Sequence, residues 1–371
     1  MIRRALLLAA CVLCGAAAAH PPARQASYAD RPEVRAFIGR MVERYGFGAE
    51  ALRKVFASAR FAPGVLRAMR PPPRERPSWE AYRARFVGAR RIDEGLEFWR
   101  ANRSTLARAA RVYGVPAEVI VAIIGVESHY GRSTGRWRVL DALSTLAFDE
   151  APRAAYFRGE LESYLLFARE AGLDVLAVRG SPAGAIGLPQ FMPRTYREYA
   201  VDFDGDGRAD LLDDAADAIG SVANFLQAHG WRRHEPADLD ASVSGAAYRA
   251  YADGGVQPRY TLAQLARAGV AFRDPGLPED TRAALLELGT PDEPSEYRLG
   301  LHNFYVLTRY NRSAFYAAAV SDLAKALRAA GGSRADGARA RAARPWTRRA
   351  AAGLRAAARA PRPGSAAPAR A

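Results

Sequence analysis

The stretch Val115 to Gly131, V-P-A-E-V-I-V-A-I-I-G-V-E-S-H-Y-G, sets the frame for the whole chain. Pro116 suits a first helical turn, Glu118 favours the positive helix end, and Gly131 reads as a stop. Val119 to Val126 has no polar face, and a helix that is apolar all round belongs inside a core. It is too short to cross a bilayer. Glu127 follows at its negative end, where desolvation and the helix dipole both disfavour the charged carboxylate. That makes it a candidate proton donor at neutral pH. The competing reading is a first polar residue after a buried segment, paired with a nearby arginine.

With 371 residues, 49% of them hydrophobic, the chain can bury a large core in one to three domains. Met-Ile-Arg-Arg followed by Ala5 to Ala19 has the layout of an export signal, with the cut expected after Ala19. With such a signal the expected location is the periplasm. Leu8-Ala9-Ala10-Cys11 also resembles a lipobox, which would anchor Cys11 in the outer membrane. Cys11 and Cys14 both lie inside the signal, so neither a disulfide nor a cysteine metal site is expected in the exported protein. No later segment has the apolar length of a membrane span.

The net charge of +15 points toward nucleic acid only until it is located. Residues 331 to 371 hold ten arginines against one aspartate, Asp336, and so carry nine of the fifteen charges. Alanine, arginine, glycine and proline cannot build a core, so the tail is expected to be disordered. Anionic envelope polymers or lipid headgroups are the partners expected for it, and no nucleic acid is expected. A tail with no partner at all, shaped by base composition, is the alternative.

Short helices are expected from Tyr28 to Ala68, with a break at Pro71-Pro72-Pro73. Ser78 can cap a helix at Trp79, and another helix runs from Asp93 through Val112, with Phe98, Trp99, Leu106 and Val112 facing a core. Trp79 and Phe86 belong to a core by the same aromatic spacing. After the Glu127 helix comes an amphipathic one around Tyr156. Gly180 to Pro193, G-S-P-A-G-A-I-G-L-P-Q-F-M-P, then surrounds Gln190 with glycines and prolines. No Lys-Ser/Thr follows it, so the glycines allow close backbone approach rather than phosphate binding.

Asp202 to Asp213 has the spacing of an EF-hand-type calcium loop. Asp202, Asp204, Asp206 and Asp213 supply carboxylates at positions one, three, five and twelve. Gly207 takes the turn, Arg208 offers its carbonyl, and Asp210 can act through water. Aspartate at twelve, in place of glutamate, shortens the reach. A solvated acidic turn is the alternative, but so many carboxylates repel one another without a cation. A helix follows from Asp217 to Leu226. Residues 232 to 300 lose helical periodicity. Asp240 to Ser244, Ala284 to Leu288 and Tyr297 to Leu301 read as strands, and Tyr260 to Ala268 as a short helix. Dense aromatic sequence from Asn303 to Tyr316 leads into a final helix ending near Arg328.

In combination, G-V-E-S-H-Y-G, S-P-A-G-A-I-G-L-P-Q-F-M-P, D-F-D-G-D-G with D-A-I-G-S-V-A-N, and R-Y-N-R-S-A-F-Y resemble the membrane-bound lytic murein transglycosylase B family of the lysozyme-like superfamily. The resemblance spans roughly residues 30 to 328. It implies a mainly α fold: a lysozyme-like catalytic core over 113–231, an N-terminal helical region over 28–112, and a small antiparallel β subdomain over 232–300. A substrate-binding segment with the final helix would occupy 301–330. Glu127 would be the single acid/base, Ser181 and Gln190 would line the cleft, and Tyr310, Asn311 and Tyr316 would bind substrate. Tyr82, Arg153 and Tyr156 fall on sugar- or peptide-contacting positions. Two departures from a family member, Pro152-Arg153 for paired arginines and Phe225 for a tyrosine, bear on ligand preference rather than catalysis.

Most glycosidases flank the bond with two carboxylates, and the motifs here fix only one. The resemblance implies that this one cleaves peptidoglycan between N-acetylmuramic acid and N-acetylglucosamine, closing a 1,6-anhydro ring without water. Structural calcium is the implied cofactor, peptidoglycan strands the partner, and a monomer the expected state. A calcium-stabilised, non-catalytic peptidoglycan-binding protein and a hydrolytic muramidase are the competing readings.

Overall fold

The computed structural model describes residues 27–70, 78–273 and 276–335. The export signal, Cys11, the Pro71–Pro73 break and most of the arginine-rich tail lie outside them. The chain divides into two compact units, one ending at Ala59 and the other beginning at Arg60. In the first, α1 (Pro32–Tyr45) and α2 (Ala49–Ser58) bury Phe37, Met41, Leu52 and Phe56, with Phe37 and Phe56 edge to face at 5.8 Å.

The second unit begins with α3 (Pro63–Met69), α4 (Trp79–Ala84), α5 (Ala89–Ala101) and α6 (Arg103–Tyr113). The Ser78 hydroxyl accepts the Ala81 N–H at 3.1 Å, as a cap should. The single helix expected from Asp93 to Val112 is two. Asn102 leaves helical geometry and its amide takes the Phe98 carbonyl at 2.9 Å, which stops α5. The break resets the helical phase, so Leu106 is buried while Val112 is 54% exposed rather than in the core. Trp79 and Phe98 are buried, whereas Phe86 and Trp99 are only half-buried.

The central helix α7 (Ala117–Ser128) is enclosed by α5, α6, and two helices from later in the chain, α11 (Ala215–Ala228) and α14 (Ala314–Ala335). Ile120 to Ile124 are fully buried. Each isoleucine and valine among them contributes about 1.5–3 kcal/mol by leaving water. Pro116 is the cap rather than part of the first turn, and the helix stops at Ser128, before Gly131. His129 and Tyr130 both adopt left-handed backbone, with φ of 54° and 58°. That conformation costs about 1–2 kcal/mol for each non-glycine residue. Tyr130 offsets it: its ring is buried against Phe98, and its hydroxyl donates to the Arg91 carbonyl at 2.9 Å. Gly125 makes room, since a Cβ there would lie 2.7 Å from that ring.

The chain continues through β1 (Trp137–Arg138), α8 (Val139–Phe148), α9 (Ala154–Glu170), β2 (Arg179–Gly180) and α10 (Pro193–Tyr199). Strands β1 and β2 pair antiparallel. Beyond α11 lie β3 (Asp238–Val243), β4 (Tyr260–Thr261), α12 (Leu262–Arg267), β5 (Val270–Phe272), β6 (Arg282–Leu288), β7 (Glu296–Gly300) and α13 (His302–Tyr310). The five strands form an antiparallel sheet in the order β4-β6-β7-β3-β5. Register Leu285↔Leu299 and Leu286↔Arg298 sends alternate residues to opposite faces. One face packs Leu285, Leu299 and Val270 on α12. The other meets α14 with Leu286 and the buried Arg298. The three expected strands are therefore present within one or two residues, while β4 and β5 are too short to leave a periodic signal. The molecule is mainly α with a small antiparallel sheet. Helix α14 runs seven residues past Arg328. Among the described residues, no single helix is long and apolar enough to cross a membrane.

Candidate active site

Glu127 stands at the exposed end of the buried helix, half-buried, with one side open to a cavity of about 330 Å³. The Tyr316 hydroxyl, from the first turn of α14, donates to its Oε1 at 2.6 Å. Burial pushes the Glu127 carboxyl up to about 7, against the pull of that hydrogen bond toward the carboxylate. The arginine partner that would have made Glu127 an ordinary ion pair is absent among the described residues. Nearby arginines go elsewhere: Arg91 donates to the Gly125 carbonyl, and Arg132 pairs with Glu94. Burial and the Glu127 charge push the Tyr316 phenol well up, so it remains a donor.

The loop from Gly180 to Pro193 forms the facing wall. The Ser181 hydroxyl accepts backbone N–H groups of Ala183 and Ala185 at 3.2 and 3.0 Å. Gln190 sits at φ 51°, and its Nε2 donates to the Gly187 and Thr134 carbonyls at 2.8 and 3.0 Å. Gly187, at φ 75°, passes so close to Leu211 that a Cβ would lie 2.1 Å from its carbonyl oxygen. Close backbone approach is thus what this glycine supplies. The Tyr310 hydroxyl donates to the Pro189 carbonyl at 2.7 Å, tying α13 to the loop, and its ring stacks on Tyr316 at 6.4 Å.

Of the residues singled out in the sequence, Glu127, Ser181, Gln190, Tyr310 and Asn311 line this one cavity. Tyr316 reaches it through its bond to Glu127. Tyr82 packs at a tilt against Phe315 at 5.7 Å, close enough for the Glu127 charge to act on its hydroxyl. Arg153 and Tyr156 do not line the cavity. They pair with each other, guanidinium over ring at 5.5 Å, at the exposed N-terminal end of α9. Among the lining residues Glu127 is the only carboxylate. A larger cleft of about 710 Å³ lies between the sheet and α14, but its charges, Arg298, Asp322 and Lys325 among them, are already paired. It contains no group left desolvated and unneutralised.

In the acidic loop, carboxylate oxygens of Asp202, Asp204 and Asp217 lie within 4.8 Å of one another. Asp202 accepts N–H groups of Gly205, Asp206 and Gly207 at 2.7 to 3.2 Å; slight desolvation pushes its carboxyl up, but these bonds hold it below its usual range. Asp217 is buried and accepts the N–H groups of Phe203 and Asp210 at 2.6 and 2.7 Å. Its burial pushes the carboxyl up. Three convergent hard oxygens, one of them buried, fit an oxygen-seeking divalent cation. The carboxylates of Asp206 and Asp213 fall outside that cluster. Asp206 accepts the Arg208 N–H at 2.9 Å, and Asp213 donates its N–H to Asp210 at 3.1 Å.

A family model described as the transglycosylase SLT domain matches residues 29–325. The chain belongs to that family. Membrane-bound lytic murein transglycosylase B of Escherichia coli strain K12 is 41% identical over 309 residues, covering 81% of this chain and 84% of that protein. The soluble lytic transglycosylase SltB1 from Pseudomonas aeruginosa superposes with a TM-score of 0.77 at 45% identity, over 81% of this chain and 100% of that one. The E. coli lytic transglycosylase Slt35 in complex with calcium superposes with a TM-score of 0.74 at 42% identity, over 82% of this chain and 95% of that one. The lysozyme-like fold expected from the sequence is the fold of these neighbours.

In this SLT-family chain several site residues escaped the sequence reading. Met192, Thr195 and Arg309 line the cavity, while Phe225, already singled out in the sequence, packs against Tyr310 at 4.9 Å. Met192 lay inside the quoted loop and Arg309 beside Tyr310, so adjacency was the available signal. Asp217 read only as the start of a helix. Its place four residues past the twelfth loop position gives no cue that it folds back under the loop.

Proposed function

We propose that this enzyme cleaves the bond between N-acetylmuramic acid and N-acetylglucosamine in murein, with Glu127 as acid and then base. The observation that carries the reading is a lone carboxyl, pushed up to about 7 by burial, in a cavity without a second lining carboxylate. Protonated Glu127 gives its proton to the glycosidic oxygen as the C1–O bond breaks, and the acetamido group supports the oxocarbenium-like centre. The resulting carboxylate takes the proton of the same sugar's C6 hydroxyl, whose oxygen bonds to C1 and closes a 1,6-anhydro ring. Nucleophile and electrophile share one molecule, so the step gains from proximity. Gln190, its Nε2 held by two carbonyls, is left with its side-chain carbonyl to accept an acetamido N–H. Mass spectrometry of digested sacculi tests this. Anhydro ends support it, reducing ends would make the enzyme a hydrolytic muramidase, and intact murein would leave a binding protein.

Because the first step needs the protonated acid, the rate should fall as pH rises through about 7. The Tyr316 bond favours the carboxylate, so Tyr316→Phe should move that falling limb upward in pH. It should also lower the maximal rate by roughly 10–100-fold, the worth of a hydrogen bond to a charged group. A pH–rate profile of the variant checks both.

The acidic loop supplies a structural calcium site, with Asp202, Asp204 and Asp217 as the convergent ligands and backbone carbonyls completing the shell. Bound calcium would neutralise carboxylates that otherwise repel, and so stabilise the fold. EGTA should therefore lower the melting temperature by several degrees, and calcium should restore it. An unchanged melting curve would remove the site. The cell envelope is the place where such an enzyme meets its substrate.

A further inference from the structure

Arg309 is the only cation lining the cavity that holds Glu127, and it is exposed. Other arginines of the site region are committed: Arg83 to Asp322, Arg91 to the Gly125 carbonyl, Arg138 to Asp141, and Arg298 to Asp238 and Asp322. Among the described residues Arg309 pairs with no carboxylate. Its guanidinium instead leans over the Tyr305 ring, 5.8 Å from the centroid, and hydrogen-bonds the Tyr305 hydroxyl, which limits its rotamers and leaves the remaining donors of the fork open. Tyr305 is itself braced by a 3.4 Å bond from Gln257. The next residue, Tyr310, ties the same turn of α13 to the loop wall. The result is a pre-oriented planar donor, open to the cavity and lacking an anion.

We propose that Arg309 binds a free carboxylate of the peptide stem carried by the muramic acid, and so sets a preference for stems with unamidated carboxyls. The inference rests on the murein reading above. Among the charged substituents of that polymer, the stem carboxylates suit a planar fork of N–H donors. Substrate would be held in part by this pair, outside the reacting atoms, so the effect belongs to binding rather than to the chemical step.

The test uses the full chain and two synthetic murein tetrasaccharides, one bearing L-alanyl-D-glutamate with free carboxylates and one with both stem carboxylates amidated. Wild type should show roughly tenfold lower KM for the free acid at similar kcat. Arg309→Gln should erase that difference with kcat retained, and Arg309→Lys should keep part of it. The proposal is overturned if wild type shows no preference, if Arg309→Gln preserves it, or if Arg309→Gln lowers kcat equally on both. A wild type that cleaves neither would remove the transglycosylase reading. Calorimetric binding of the two tetrasaccharides, wild type against Arg309→Gln, would still decide the role of Arg309.

Discussion

Glu127→Gln should leave the fold intact and remove murein cleavage. In the proposed reaction one side chain performs both proton transfers, and positioned acid–base catalysis contributes about 10²–10⁴-fold. The loss in turnover on purified sacculi should therefore be at least about a thousand-fold, with circular dichroism unchanged. The same substitution should raise stability in a pH-dependent way. Glu127 ordinarily titrates near 4.5 and is pushed up to about 7 in the folded protein, so the native state binds more protons between those values. Its contribution is fully present below 4.5, declines as pH rises, and is gone above about 7. Glutamine does not titrate and can still accept the Tyr316 hydroxyl. The variant should thus match wild type near pH 4 and exceed it at pH 8 by up to ~3 kcal/mol, reduced by the opening to the cavity. Retained turnover would sink the assignment of the acid. A melting difference independent of pH would contradict the desolvation argument.

Arg298→Leu should cost about 3–5 kcal/mol, the scale for breaking a buried ion pair from one side. Arg298 is 3% exposed in β7. Its guanidinium donates to Asp238 at 3.0 Å and to both oxygens of Asp322 at 2.7 and 3.0 Å, and it stands over the Trp79 ring at 5.3 Å. Burial pushes the Asp322 carboxyl up, but the Arg298 bonds more than reverse this and hold it below its usual range. A carboxylate held down stabilises the fold above its ordinary titration range, and that stability is lost as pH falls through the folded value. Leucine would leave Asp238 and Asp322 buried with Arg83 and Lys325 at the edges and the Ser321 hydroxyl on Asp238 at 2.6 Å. Denaturant titration at neutral pH should show the loss, and it should shrink in acid as the carboxylates protonate. A loss under 1 kcal/mol would show that the pair contributes little. Because Asp322 and Tyr316 share α14, the variant should also be less active per folded molecule.

The sequence by itself determined the buried helix, the acid at its end, the Gln190 loop, the acidic turn and three of the five strands. These features are local, and periodicity, turn chemistry and ligand spacing leave marks within a few residues. Only the tertiary structure decided what Glu127 meets. Tyr316 is 189 positions away from it, and nothing in the spacing of either segment distinguishes a phenol that holds an acid from one that stacks on a sugar. The same holds for Asp217 beneath its loop and for Arg298, a charged residue in a strand that pattern alone would turn toward water. Such partners are chosen by chain topology and desolvation, which belong to the packed molecule and to no single stretch of it.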